Sequence, residues 1–270
     1  MRGLIQRTLR FIADNGGAHA LDLLRHYRKS RELLHLQHLN RYEKSIYSQN
    51  GEDGIIKELI FRIGVQHRYF VEFGVGTGEE CNTALLARQY SWQGLMLESD
   101  TVKYDCLSQL YKHTKVTTLN RTVSADNIES IFQAALVPVE LDLLSIDIDG
   151  NDYWVWAALT NHRPRIVVIE YNAAIPPPEE WVMPYDNPTA IERMAFGASL
   201  QSLKLLGDRL GYALIGTESR GVNAFFVRRD VLKRVNFPEL TAAEAYHRPR
   251  FAFFGLASDK RPPPQQQSQG

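Results

Sequence analysis

Two cysteines in 270 residues, Cys81 and Cys106, provide neither a disulfide framework nor the paired spacing of a zinc cage, and they suit a reducing cytoplasm. No apolar run approaches the ~20 residues needed to span a bilayer. The opening MRGLIQRTLRFIADNGG is broken by Gln, Thr and Arg where a secretory signal would be continuously apolar. Net charge is zero, and Lys, Arg and aromatic residues are not clustered, so a nucleic-acid surface is not expected. A Ser/His/Asp order, a Cys/His pair and a phosphate loop closing on Lys-Ser/Thr are all missing. His162 and His247 lie beside Arg or Pro in expected surface turns, away from any catalytic pattern.

The charge that is present is unevenly spread. Residues 1–44 hold nine Lys or Arg against four Asp or Glu, which leaves the remaining chain acidic. Residues 1–45 read as a basic helical extension broken at Asn15-Gly16-Gly17, with Leu4, Ile5, Leu9 and Ile12 at helical spacing. Such an arm either packs on the core or a second subunit, or touches an anionic membrane surface from the cytoplasmic side. Residues 46–258 form the expected catalytic domain, and the Pro- and Gln-rich residues 259–270 are expected to be disordered.

From Tyr47 onwards α and β signals alternate. A helix with Ile55, Ile56, Leu59, Ile60 and Ile63 on one stripe comes first. Strands are predicted at Tyr69–Gly74, Gly94–Glu98, Lys115–Leu119, Leu141–Asp149 and Arg165–Tyr171. Helices are predicted at Glu79–Gln89, Thr101–Lys112, Asn127–Ala135 and Asp152–Leu159. The irregular, proline-rich residues 173–196 read as a lid or acceptor loop. After them come a helix near Ser199–Leu210 and a final hairpin, Tyr212–Thr217 and Asn223–Arg228. This order predicts an α/β fold: a doubly wound, mostly parallel seven-stranded sheet with a C-terminal antiparallel hairpin, the Rossmann-like layout of class I methyltransferases.

The turn Glu72-Phe73-Gly74-Val75-Gly76-Thr77-Gly78 leaves a strand and enters a helix. Glycine there permits positive φ and lets backbone N–H groups approach a ligand. The spacing is GxGxG, without the third glycine of a dinucleotide site, and Glu79 and Glu80 follow it. Two carboxylates repel a pyrophosphate but tolerate the cationic S-adenosylmethionine, so the methyl donor is preferred to a nicotinamide cofactor. Glu98, at the end of the next strand, is placed to accept from both ribose hydroxyls, or else it caps the following helix. Glu72 either meets the ligand amino group or satisfies backbone donors.

In Ser145-Ile146-Asp147-Ile148-Asp149-Gly150, strand alternation predicts that Asp147 and Asp149 share one side at the carboxyl end of an inner strand. Glu170 and Asn172 end the next strand, and the four can converge. Hard oxygen donors of this kind suit Mg²⁺ or another divalent cation, which would acidify an acceptor hydroxyl. Without a metal, Asp147 or Asp149 serves as general base. A third reading has the acids only capping helices.

The blocks Tyr47–Gly54 (YSQNGEDG), Phe70–Gly78, Ser145–Trp156 (SIDIDGNDYWVW), Val168–Asn172 (VIEYN) and Gly221–Arg228 (GVNAFFVR) resemble the FkbM-like class of S-adenosylmethionine-dependent methyltransferases, over about residues 45–230. The resemblance implies methyl transfer to oxygen on a sugar, glycolipid or natural product, with Tyr47, Ser48 and Gln49 folding over the cofactor. Trp181, Tyr185 and Tyr171 are candidates to stack on a sugar ring. A nicotinamide-dependent oxidoreductase and a non-catalytic binding protein on the same fold are the competing classes.

Overall fold

A computed structural model describes residues 39–185, 196–233 and 237–249. Nearly all of the basic arm, residues 186–195 of the expected lid and the whole C-terminal tail lie outside the described residues. No helix among the described residues is long and apolar enough to cross a membrane.

Seven strands form one sheet: β1 (Tyr69–Phe73), β2 (Gln93–Glu98), β3 (Val116–Asn120), β4 (Leu143–Ile146), β5 (Ile166–Glu170), β6 (Tyr212–Thr217) and β7 (Asn223–Arg228). Their order is β3-β2-β1-β4-β5-β7-β6. β1 to β5 pair in parallel, while β7 runs antiparallel to both β5 and β6. This is the doubly wound, mostly parallel Rossmann-like sheet expected from the sequence, closed by an antiparallel hairpin. Strand order reverses between β1 and β4, and the crevice at their carboxyl ends is where open α/β sheets take ligands.

Apart from the edge strand β3, whose residues are half-buried or exposed, the strands are buried on both faces because their short apolar runs carry side chains alternately to two helical layers. Val71 and Phe73 of β1 join one core cluster, and Phe70 joins the other. The first cluster packs against α4 (Ile128–Ala134), α5 (Asp152–Ala158) and α6 (Leu200–Leu210) through Phe132, Trp156, Leu203 and Leu206. The second meets α1 (Glu52–Ile63), α2 (Ala84–Arg88) and α3 (Thr101–Tyr111) through Ile55, Leu59, Leu86 and Leu107. Helix ends follow local chemistry. The Asp100 side chain accepts from Val102 and Lys103 N–H to start α3, and Gly211 at φ 85° stops α6.

Three expectations need correction. β4 ends at Ile146, so Asp147 to Gly150 form a turn and not a strand. α2 begins at Ala84, five residues after the expected start, because residues 79–83 belong to the loop. His162 is buried rather than in a surface turn, with Nδ1 2.9 Å from Glu129 Oε2 and its ring edge-on to Phe132. The described part of the 173–196 loop is pinned by Met183 N–H to Gly197 and Ser199 N–H to Trp181, and Met183 packs over Gly150.

Candidate active site

The glycine turn divides its labour. Gly74, Gly76 and Gly78 all have positive φ (68°, 56° and 79°). A Cβ on Gly74 would lie 1.7 Å from the Asp147 carbonyl oxygen, and one on Gly78 would meet Leu107 and Tyr111 at 2.5 and 2.7 Å. These two glycines are demanded by packing. A Cβ on Gly76 would meet nothing within 4 Å and would project into open space. Gly76 is thus the glycine of this turn at which the backbone borders open space that a ligand can enter.

That space consists of two cavities of about 310 and 440 Å³ which share Gly74, Gly76 and Asp147. Glu52, Glu72, Glu79, Glu80 and Asp147 line the first, and its described lining has no Lys or Arg. Gln49 and Thr77 also line it. Glu98, Asp100 and Asp149 line the second, together with Lys103 and Arg121. A cation is favoured in the first cavity and a pyrophosphate is repelled from it. An amino-acid ammonium beside a sulfonium fits this donor set.

Glu98, buried at the end of β2, holds the turn by accepting from Gly76 N–H (2.7 Å) and Asp100 N–H (2.8 Å). Each carboxylate oxygen keeps a second lone pair with which it can accept from a ribose hydroxyl. Glu72 accepts from Asn82 N–H, Thr83 N–H, the Thr83 hydroxyl and the Ser145 hydroxyl. Burial pushes its pKa up, opposed by these hydrogen bonds. Glu72 is thus engaged with the backbone ahead of α2 and the hydroxyls beside it.

The segment before α1 wraps around one carboxylate. Asp53 Oδ2 accepts from Ile46, Tyr47 and Ser48 N–H, and the Ser48 hydroxyl accepts from Asp53 N–H. Gln49 Nε2 donates to Glu80 Oε2 at 3.1 Å, linking this segment to the glycine turn. Tyr47 lies under the Arg88 guanidinium, 4.5 Å from its ring centroid, and does not line either cavity. Ser48 is buried, so of the three expected cofactor-covering residues only Gln49 faces the space.

Asp147, Asp149 and Glu170 each bring a carboxylate oxygen within 4.8 Å of the others. Their convergence comes from the turn and not from strand alternation. Asp152 accepts from Ile148 and Gly150 N–H, which draws the chain off the sheet, and Asp149 takes φ 56°. Burial, followed by the charges of Asp152 and Asp149, pushes the Asp147 carboxyl up to about 8. Glu170 is held well above the carboxylate range by burial and then by Asp147. Asp147 therefore holds its proton at neutral pH, and Glu170 is pushed in the same direction. Three such donors can also hold a divalent cation. Asn172 stands apart, because its amide donates to the Phe196 carbonyl and accepts from Ala174 N–H.

Glu52 and Asn223 line the first cavity and went unnoticed in the sequence. The only signal was an acid inside a polar run and an amide at a strand start. The aromatic candidates do not assemble over the cofactor space. Tyr171 is buried with its hydroxyl donating to the His247 carbonyl, Tyr185 donates to Asp126, and Trp181 lines a separate small pocket beside Tyr153 and Arg209.

No known family profile matches the chain, and no curated protein matches it. Several solved structures similar to it are named as methyltransferases. One from Staphylococcus aureus, provisionally assigned as a caffeoyl-CoA O-methyltransferase, is 12% identical, covers 83% of this chain and 98% of its own, and has a TM-score of 0.46. The N-terminal domain of EvdMO1, crystallised in the presence of S-adenosylhomocysteine and D-fucose, is 14% identical over 78% and 97% of the two chains (TM-score 0.41). A Bacillus cereus O-methyltransferase in complex with S-adenosylhomocysteine is 15% identical over 73% and 87% (TM-score 0.40). At these identities the likeness concerns the fold, and the chemistry has to come from this chain's own residues.

Proposed function

We propose that the protein is an S-adenosylmethionine-dependent O-methyltransferase acting on a hydroxyl of a sugar, glycolipid or related small molecule. The observation that carries this reading is the acid-lined space around Gly76 at the switch point of the sheet. Its charge fits a cationic methyl donor and opposes the pyrophosphate of a nicotinamide cofactor, which sets the oxidoreductase reading aside. The sugar acceptor is supported by the FkbM-like sequence blocks.

The bound cofactor supplies an activated methyl group on sulfonium. Glu98 holds the ribose end, and the Gln49–Glu80 link covers the opposite end. Asp147 or Asp149, in one carboxylate cluster with Glu170, would take the proton that the acceptor hydroxyl gives up, Asp147 only once the positive charge of the bound cofactor has released the proton it holds. Alignment of the hydroxyl with the methyl group supplies much of the rate. The same trio offers a second reading, in which Asp147, Asp149 and Glu170 hold a divalent cation that acidifies the acceptor hydroxyl.

Calorimetric titration with S-adenosylmethionine, S-adenosylhomocysteine and NAD, each with and without Mg²⁺, tests both readings. Binding of the first two with none of NAD is expected. Failure of folded protein to bind either sulfur ligand sinks the proposal and leaves a non-catalytic binding protein. Turnover that requires Mg²⁺ selects the metal reading.

A further inference from the structure

Glu52 is the first residue of α1 and is almost wholly buried, although it stands in the polar run Ser48-Gln49-Asn50-Gly51-Glu52-Asp53. Its Oε2 accepts from Asn50 N–H at 2.8 Å. Its Oε1 accepts from Asn50 Nδ2 at 3.2 Å and from Asn223 Nδ2 at 2.8 Å. These donors are neutral. Asn223, at the start of β7, is 3% exposed, and its Oδ1 has no hydrogen-bond partner among the described residues. Because Nδ2 is committed to Glu52, the amide cannot turn over to satisfy that oxygen without losing the bond it has. A buried acceptor left without a donor is costly, and so is a buried carboxylate without a countercharge.

Both residues line the first cavity, together with Gly74 and Gly76. The two unmet needs coincide: a positive charge for Glu52 and an N–H for Asn223 Oδ1. A single alkylammonium supplies both. On the functional reading above, the cofactor brings one such group, the α-ammonium of its methionyl part. We infer that Glu52 and Asn223 form the ammonium-recognising end of the cofactor site, making the protein selective for adenosyl ligands that carry a free α-amino group. Neither residue belongs to the glycine turn or to the ribose-binding acid.

The inference predicts a chemical double-mutant cycle. Glu52→Gln keeps the shape and the acceptor for Asn223 Nδ2 but removes the charge. It is expected to weaken S-adenosylhomocysteine about 10- to 100-fold, the scale of one charge-assisted hydrogen bond. Binding of 5′-methylthioadenosine, which lacks the amino-acid part, should be unchanged. On the wild-type protein, the deamino analogue of S-adenosylhomocysteine should lose a similar factor, and Glu52→Gln should cause it no further loss. Equal weakening of both adenosyl ligands, or of neither, overturns the inference. If Glu52→Gln does not fold, wild-type protein that binds the deamino and parent ligands equally well overturns it too. A wild-type protein that binds no adenosyl ligand refutes the cofactor reading instead, so the two failures are distinguishable.

Discussion

Gly74 and Gly76 stand two residues apart in one turn and share a positive φ, yet alanine at each position meets different surroundings. At Gly76 the added methyl touches no protein atom within 4 Å. The folded state then bears only the left-handed backbone penalty of roughly 1–2 kcal/mol. For a domain of this size that corresponds to a fall in Tm of about 2–8 °C. The methyl occupies ligand space, however. Overpacking of ~1–3 kcal/mol translates into binding weakened roughly 5- to 150-fold. At Gly74 the same methyl lies 1.7 Å from the Asp147 carbonyl oxygen, and no side chain can move aside to relieve the contact. β1 and the turn after β4 must separate, at a cost expected to exceed about 4 kcal/mol. Thermal unfolding and titration with S-adenosylhomocysteine separate the two outcomes. Gly76→Ala should fold and bind poorly, whereas Gly74→Ala should fold poorly. Wild-type affinity in Gly76→Ala would refute the assignment of this cavity to the cofactor.

Glu98→Ala is expected to weaken S-adenosylhomocysteine by ~1–3 kcal/mol, the scale of lost hydrogen bonds, and unchanged affinity in calorimetry removes Glu98 from the site. Asp147→Asn should leave binding of S-adenosylhomocysteine, which lacks the sulfonium charge, nearly intact and abolish methyl transfer, measured with radiolabelled donor once an acceptor is found; loss of folding instead points to a structural role. The raised carboxyl of Asp147 also has a sign in pH. Folded protein holds this proton up to pH about 8, while the unfolded chain releases it near pH ~4. Between those values the folded state binds more protons, so this group's contribution to stability declines as pH rises. The Tm advantage of Asp147→Asn over wild type should therefore be larger at pH 8 than at pH 5, and a constant difference contradicts the burial of this acid.

The strands were legible because short Val-, Ile- and Phe-rich runs bounded by turn residues have few other readings, and β6 and β7 match the expectation end to end. β4 was overextended for a physical reason. Ile146-Asp147-Ile148-Asp149 alternates as a strand does, but alternation says nothing of Asp152, whose carboxylate captures Ile148 and Gly150 N–H and turns the chain away. Similarly, the loop at residues 79–83 was read as helix because its tie to Glu72 is made eleven residues back in sequence at the furthest. Glu52 and Asn223 were invisible, since they lie 171 positions apart and only the closing of the sheet brings them together.

The many acids of this site divide by what their oxygens already hold. Glu72 spends them on backbone N–H groups and hydroxyls and Asp152 on backbone N–H groups, bonds that oppose the effect of burial, and Asp53 spends Oδ2 on three backbone N–H groups. Asp142 does the same at the opposite end of the strands, just before β4, gathering Gln66, His67 and Arg68 N–H. These carboxylates shape loops, and their charge is accounted for within the fold. Asp147 and Glu170 differ, because burial and every neighbouring carboxylate that acts on them push in one direction. Nothing in the folding of the turn needs that arrangement, since Asp152 already holds it. An unfavourable cluster beside a ligand cavity is best explained by a ligand that relieves it, and a cation is what relieves carboxylates. The sulfonium and ammonium of S-adenosylmethionine bring two positive charges, whereas S-adenosylhomocysteine brings one. Binding of the methyl donor should lower the proton affinity of Asp147 and Glu170, readying a base only when the methyl group is present.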